Sequence, residues 1–206
     1  LLIASAWCPV PSQSLAVDPD SIPSMPEDVQ ERVTAYGLTA ATSRETMMEA
    51  LDSADAATID LVSELLIQVP KVRATAAELR LFVSEHLHDE PVDGTAAAFV
   101  LAALRDEPEI LTGLWLSLDQ TNADDQFGFW RQLVVASPRD DAAPALVMAG
   151  FSAWLSGNGA AANWALDRAA RVGHYEHPLI VGLTHILQAA IEPTKWTAMR
   201  TQFGPL

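Results

Sequence analysis

Residues 143–187 constrain the fold of this chain more than any other stretch. Small side chains recur there at helical spacing, which is typical of two helices that cross closely. These residues are Ala149, Gly150 and Ala153 in the first helix, and Ala162, Ala165 and Ala169 in the second. Between them, the sequence Gly157-Asn158-Gly159 permits positive φ and a tight reversal. The stretch therefore predicts a helical hairpin followed by a third helix.

The spacing within this hairpin resembles a tetratricopeptide repeat. The residues at matching offsets are Gly150, Gly157, Ala162, Leu166 and Ala169. The usual closing proline is absent, and His174 stands in its place. One repeat is visible, whereas solenoids normally need about three or more. The alternative is a helical hairpin within an ordinary all-α domain.

Helical periodicity continues along most of the chain and predicts an all-α fold. Ile59, Val62 and Leu66, for example, follow the i, i+3, i+7 pattern of one helical face. Repeating this reading along the chain predicts a helical bundle or hairpin array of about ten helices within residues 24–206. Asp52 or Ser53 is expected to cap one of these helices.

Two further details of this helical domain are predicted from the sequence. The polar residues 119–125 are expected to form a loop. A last helix is expected to start at Glu192-Pro193 and to carry Trp196, Met199 and Phe203.

The first 23 residues differ from the rest in composition. Prolines without helical periodicity predict an extended linker or the remnant of a missing amino-terminal domain in residues 1–23. Because the chain starts with Leu1 rather than Met, residues 1–6 are expected to be a short residual strand of that domain.

Net charge and cysteine content exclude several classes of function. The formal net charge is −15, which repels phosphate backbones and anionic membrane surfaces. We therefore expect no nucleic-acid or membrane partner. Cys8 is the single cysteine, so a disulfide within the chain is impossible. No apolar run reaches the roughly 18–20 residues of a membrane span, and a cytoplasmic location is expected.

Histidines provide the candidate sites for chemistry. His86 and His88 stand beside Asp89 and Glu90, but a solvated turn at a helix end explains them better than a metal site. His174, His177 and His185 could line one side of a groove, because positions 177 and 185 are roughly two helical turns apart. Metal binding or proton transfer by these three is the hypothesis that this spacing leaves open.

Other chemical motifs give weaker signals. The sequence has no glycine-rich phosphate loop, no nucleophile elbow and no cofactor motif, so no cofactor is expected. Asp124-Asp125 and Asp140-Asp141 are interpreted as solvated loops. Trp154 and Trp164, with the three histidines of the preceding paragraph, are the candidate groove or interaction residues, since tryptophan is seldom fully buried.

Several segments together are similar to the carboxy-terminal half of an actinobacterial family known as domain of unknown function 4192. They are Trp130-Arg131-Gln132-Leu133, residues 143–170 and Glu192-Pro193-Thr194-Lys195-Trp196, with weaker matches at Trp7-Cys8-Pro9 and Thr42-Ser43-Arg44-Glu45. The resemblance implies an intracellular actinobacterial or phage-borne protein, and an α/β-like half that precedes the helical one. It implies no activity.

Three functions are compatible with the sequence. The first is a protein-interaction or scaffold module that presents a helical groove to a protein partner. The second is a structural adjunct of a nucleotide-binding or catalytic domain that is missing from this chain. The third is a small-molecule enzyme that uses the histidine cluster. The sequence favours the first, without enzymatic activity.

Overall fold

The computed structural model describes residues 51–52, 56–69, 71–88 and 91–203, without the side chains of Asp106, Pro108 and Phe203. The chain divides into two units, Leu1–Ser43 and Arg44–Leu206, and every described residue belongs to the second. The strand predicted at residues 1–6, the linker predicted at residues 1–23, Cys8, Ser53, Asp89 and Glu90 all lie outside the described residues.

The described residues form nine α-helices and no strand, which confirms the all-α prediction. In chain order they are α1 (Ala56–Gln68), α2 (Ala76–Glu85), α3 (Gly94–Asp106), α4 (Pro108–Ser117), α5 (Ala123–Ala136), α6 (Ala143–Leu155), α7 (Gly159–Val172), α8 (Pro178–Gln188) and α9 (Trp196–Arg200). Three single-turn 3₁₀ helices are Arg139–Asp141, Pro193–Lys195 and Thr201–Phe203.

Local capping residues start several of these helices. At α2, the Thr75 hydroxyl accepts a hydrogen bond from the Glu78 N–H, and the Glu78 carboxylate accepts one from the Thr75 N–H at 2.8 Å. At α3, the Asp93 carboxylate accepts from the Thr95 N–H. These side chains satisfy amide groups that have no partner inside the helix.

Helix α6 lies at the centre of the fold. All of its residues from Ala145 to Leu155 are buried, and the helix contains no charged residue. Helices α5 and α7 pack along it, and α3 and α8 also contact it. A helix that is apolar on every side is stable only when neighbours cover it completely, so the other helices are arranged around α6.

The predicted reversal after α6 has a specific hydrogen-bond geometry. Gly157 has φ of +82°, its N–H donates to Trp154 O, and the Asn158 N–H donates to Ala153 O at 2.8 Å. This arrangement is the Schellman motif, which satisfies the last carbonyls of a helix. The Asn158 side chain then caps α7 by accepting from the Ala161 N–H. The hairpin prediction is confirmed, whereas its likeness to a tetratricopeptide repeat stays a prediction.

Two more helices end with the same motif. At the end of α7, Gly173 has φ of +90°, and the His174 N–H donates to Ala169 O. At the end of α8, the residue in the left-handed conformation is Ala190, with φ of 49°. The Ile191 N–H there donates to Ile186 O. An alanine at such a position costs conformational energy that a glycine would not.

Gly150 allows α6 to approach two neighbouring helices closely. A Cβ atom at this position would lie 2.5 Å from Leu183 Cδ2 in α8 and 3.2 Å from Ala165 Cβ in α7. Both distances are shorter than ordinary van der Waals contact between carbon atoms. The sequence prediction that small residues permit a close helix crossing is confirmed at this position.

An aromatic cluster joins α6 to the carboxy-terminal helix. Ring centroids of Trp115 and Trp196 are 4.9 Å apart, and Phe151 lies 5.3 Å from Trp115 in an edge-on orientation. Trp154 completes the group, 6.2 Å from Trp196. The Trp196 indole N–H donates to Leu118 O at 2.7 Å, so this ring is both packed and hydrogen-bonded. These contacts tie α4, α6 and α9 together.

The predicted loop at residues 119–125 is too long, because α5 begins at Ala123. Asp124 and Asp125 lie in the first turn of α5, where negative charge interacts favourably with the helix dipole. The turn before α5 is short, and within it the Asp119 carboxylate accepts hydrogen bonds from the N–H groups of Thr121 and Asn122.

The predicted last helix is not continuous. It consists of the 3₁₀ turn Pro193–Lys195, the five-residue helix α9 and a second 3₁₀ turn. So short a helix is unstable by itself, and tertiary contacts hold it in place. Besides Trp196, the Arg200 guanidinium donates to Leu118 O at 3.2 Å.

Within the described part of the chain, no helix is long and apolar enough to cross a membrane.

The close approach at Gly150 predicts that a glycine-to-alanine substitution changes the free energy of unfolding in opposite directions at Gly150 and at Gly128. Gly150→Ala should lower the free energy of unfolding by about 1–2 kcal/mol, since the overpacking cost exceeds the gain in helix propensity. Gly128→Ala, in the interior of α5, should raise it by up to about 1 kcal/mol, because no atom lies within 4 Å of the added Cβ. Urea denaturation of both variants measures the difference. Stabilisation by both substitutions would contradict this prediction, because it would show that the packing around Gly150 accommodates an added methyl group.

Candidate functional site

The two tryptophans predicted to line a groove are buried. Trp154 is 4% exposed, and its indole N–H donates to Ile191 O at 3.0 Å. Trp164 has no exposed surface, and its indole N–H donates to the Asp52 carboxylate at 2.8 Å. The expectation that an indole reaches a groove is therefore not met by either ring, because both N–H groups find partners inside the fold.

Trp164 belongs to a polar cluster that the sequence did not predict. The Asp52 carboxylate receives three hydrogen bonds from α7: one from the Trp164 indole, one from Arg168 at 2.6 Å and one from Arg171 at 2.8 Å. Positions 164, 168 and 171 have the i, i+4, i+7 spacing of one helical face. We call these three residues the α7 stripe. Their spacing is visible in the sequence, but their partner lies 112 residues away from Trp164.

The sequence suggests Asp52 or Ser53 as a helix cap, and in the structure the Asp52 carboxylate has partners in α7. Its carboxylate is turned to α7, and the neighbouring Leu51 carbonyl accepts from Arg131 in α5 at 3.5 Å. Burial raises the pKa of Asp52, but hydrogen bonds from Arg171, Trp164 and Arg168 outweigh burial and leave the pKa lowered. The carboxylate is thus ionised near neutral pH and pairs with two guanidinium groups.

His174 and Arg139 connect two loops. The His174 Nε2 lies 2.7 Å from Arg139 O, and since a carbonyl can only accept, this nitrogen carries the proton. In return, the Arg139 Nε–H donates to Val172 O at 3.0 Å. This reciprocal pair holds the end of α7 against the 3₁₀ turn between α5 and α6. His174 therefore has a structural partner already.

His177 caps α8. Its Nδ1 accepts a hydrogen bond from the Leu179 N–H at 3.3 Å, which requires this nitrogen to be unprotonated. Burial, together with the charge of His174 beside it, lowers the pKa of His177. Both the cap and the lowered pKa favour the neutral imidazole.

The other three histidines lie in α8, at the end of α2 and in the turn that follows α2. His185 is exposed in the last turn of α8. His86 ends α2, where its Nδ1 lies 2.7 Å from Phe82 O and its ring stacks on Phe82. His88 follows in an exposed turn. Among the described residues, no group of three histidine, cysteine or carboxylate side chains could hold a metal ion.

Helix α1 presents an exposed face of mixed character. Asp60, Leu61, Glu64 and Ile67 lie on its solvent side, and we call these four residues the α1 face. Ile67 is 86% exposed and Leu61 is 49% exposed. The two acidic residues lie between them around the helix, and α1 contains no basic residue. The opposite side of α1 buries Val62 and Leu66 in the core.

The lowered pKa of His177 predicts a loss of stability in mild acid. The folded state binds this proton less readily than the unfolded state, so the free energy of unfolding should fall as the pH drops below about 6.5. His177→Asn keeps a capping side chain without a titrating group and should show a smaller loss between about pH 7 and pH 5. Urea denaturation across this range measures it.

Two controls make this result specific. His185→Gln removes an exposed histidine of the same helix and should keep the pH dependence of the unaltered chain. The ionised Asp52 stabilises the fold throughout this range and loses its charge only at lower pH, because its pKa lies below the ordinary 3.8. An unchanged pH dependence in His177→Asn would assign the acid sensitivity to another group.

The comparisons with known proteins identify the family. Residues 18–194 match the model described as domain of unknown function (DUF4192). No curated protein and no solved structure matches the chain. The family description assigns no activity, so the three functions inferred from the sequence stay predictions. Because the match covers most of the chain and includes every α-helix up to α8, the chain belongs to the DUF4192 family.

Proposed function

We propose that this chain is a non-enzymatic protein-interaction module of the cytoplasm and that the α1 face binds its partner. The observation that carries this proposal is the exposure of Ile67 and Leu61 on either side of Asp60 and Glu64. Single exposed apolar residues are common on proteins. Two of them on either side of two acidic residues are a more specific arrangement, since such a surface offers both apolar contact and negative charge.

The charge of the chain indicates the partner's chemistry. With a net charge of −15 and an α1 face without basic residues, electrostatic attraction favours a basic partner. A short amphipathic segment that carries lysine or arginine beside apolar side chains would match the face. Such helix-to-helix recognition uses side chains at i, i+3, i+4 and i+7. Asp60, Glu64 and Ile67 occupy the i, i+4 and i+7 positions of this pattern, and Leu61 lies beside them.

The polar residues elsewhere support an interaction role over catalysis. His174 and His177 are engaged in holding a loop and capping a helix. The α7 stripe is engaged with Asp52. A catalytic side chain must lie within hydrogen-bond reach of a substrate, whereas these side chains make their hydrogen bonds to other groups of the chain.

Charge reversal on the α1 face tests the proposal. The double substitution Asp60→Lys and Glu64→Lys should abolish capture of the partner from cells that naturally make this protein. The control Glu176→Lys and Glu192→Lys makes the same change in net charge at two exposed loop positions. Far-UV circular dichroism and the unfolding midpoint should show that both variants fold.

Quantitative mass spectrometry of the captured proteins gives the result. We expect a basic protein that is retained by the unaltered chain and the control, lost by the α1 variant, and weakened as salt is raised. Ile67→Ala should also weaken this capture, because it removes the more exposed of the two apolar side chains of the α1 face. The same captured set for all variants would remove α1 as the contact face.

A further inference from the structure

The α7 stripe has the chemistry of a carboxylate receptor. One indole N–H and two guanidinium groups converge on a single carboxylate, with donor–acceptor distances of 2.6–2.8 Å. Trp164 and Arg168 share the oxygen Oδ1, and Arg171 binds Oδ2. Charge-assisted hydrogen bonds of this length are among the strongest in proteins, and arginine is suited to carboxylates in particular.

All three donors come from one rigid element, and the acceptor comes from another part of the chain. The donors lie on one face of α7, which packs against the buried helix α6. Trp164 is fully buried, and the Arg168 side chain is 16% exposed, so neither is free to reorient. The positions of Trp164 and Arg168 are therefore constrained by their own burial, whereas the Arg171 side chain is 55% exposed.

We propose that the α7 stripe is a carboxylate-binding site and that Asp52 is its built-in ligand. The Asp52 side chain keeps 21% of its surface exposed, so its removal opens the donors to solvent. A small carboxylate can then enter and accept the same hydrogen bonds. In the unaltered chain Asp52 excludes a free carboxylate, because a ligand attached to the same chain competes at an effective concentration of the order of millimolar or above.

Chemical rescue of an Asp52→Ala variant tests this site in the full chain. The variant leaves the Arg168 guanidinium, whose side chain is 16% exposed, and the Arg171 guanidinium, whose side chain is 55% exposed, without their anion, and its unfolding midpoint should fall by at least about 5 °C. Increasing sodium formate, with sodium chloride holding ionic strength constant, should restore most of that loss and then saturate. If the variant is unfolded in chloride, formate should restore its far-UV circular dichroism signal.

Three comparisons assign the rescue to the α7 stripe. Asp52→Asn fills the site with an amide of the same size, so formate should not rescue it. Asp52→Ala combined with Arg171→Leu removes one donor and should lose most of the rescue. The unaltered chain should gain nothing from formate beyond the effect of chloride.

The outcomes separate the proposal from a general salt effect. Saturable rescue of Asp52→Ala alone supports a carboxylate site on α7. Equal stabilisation of all variants by formate would mean a bulk salt effect and would overturn the proposal. Failure of formate to restore Asp52→Ala, by midpoint or by circular dichroism, would show that the donors do not hold their geometry without Asp52, and this also overturns it.

Discussion

The burial of α6 from Ala145 to Leu155 is the constraint on which the rest of the structure depends. An uncharged helix with so many consecutive buried residues must be covered on every side. Gly150 allows Leu183 of α8 and Ala165 of α7 to approach α6 closely. Burial of apolar surface contributes on the order of 25 cal/mol per Å², so covering α6 stabilises the fold.

Polar groups then fix the helices that surround α6. The Schellman turns at Gly157 and Gly173 set where α6 and α7 end. The His174–Arg139 pair holds the turn at Gly173 against the 3₁₀ turn between α5 and α6. At α8, the strained Ala190 places Ile191 so that its carbonyl accepts from Trp154. Tryptophans that suggested a binding surface thus act as core residues whose N–H groups are used internally. The surface that we propose for a partner lies on α1, which is farther along the chain from α6 than any other described helix.

Local features of this fold could be predicted from the sequence, and distant pairings could not. The Gly157-Asn158-Gly159 turn and the small residue Gly150 are visible because turn chemistry and helix spacing act over a few residues. By contrast, the pairing of Asp52 with Trp164 joins positions 112 residues apart, and no local pattern encodes it. The capping role of His177 was missed for a different reason: a histidine before a proline carries no distinctive signal, although Pro178 does mark the helix start. For the exposed α1 face, no local signal separates the exposed Leu61 from the buried Val62 and Leu66 of the same helix.

Native-state hydrogen exchange tests the central claim, that α6 is the packing centre of the helical domain. Amides of α6 should exchange last among the described helices, at a rate set by global unfolding, since α6 can open only when its neighbours leave it. Amides of α1 should exchange sooner, because one side of that helix is exposed. Exchange of α6 before or together with α1 would contradict this account, because it would show that α6 opens without the helices that cover it.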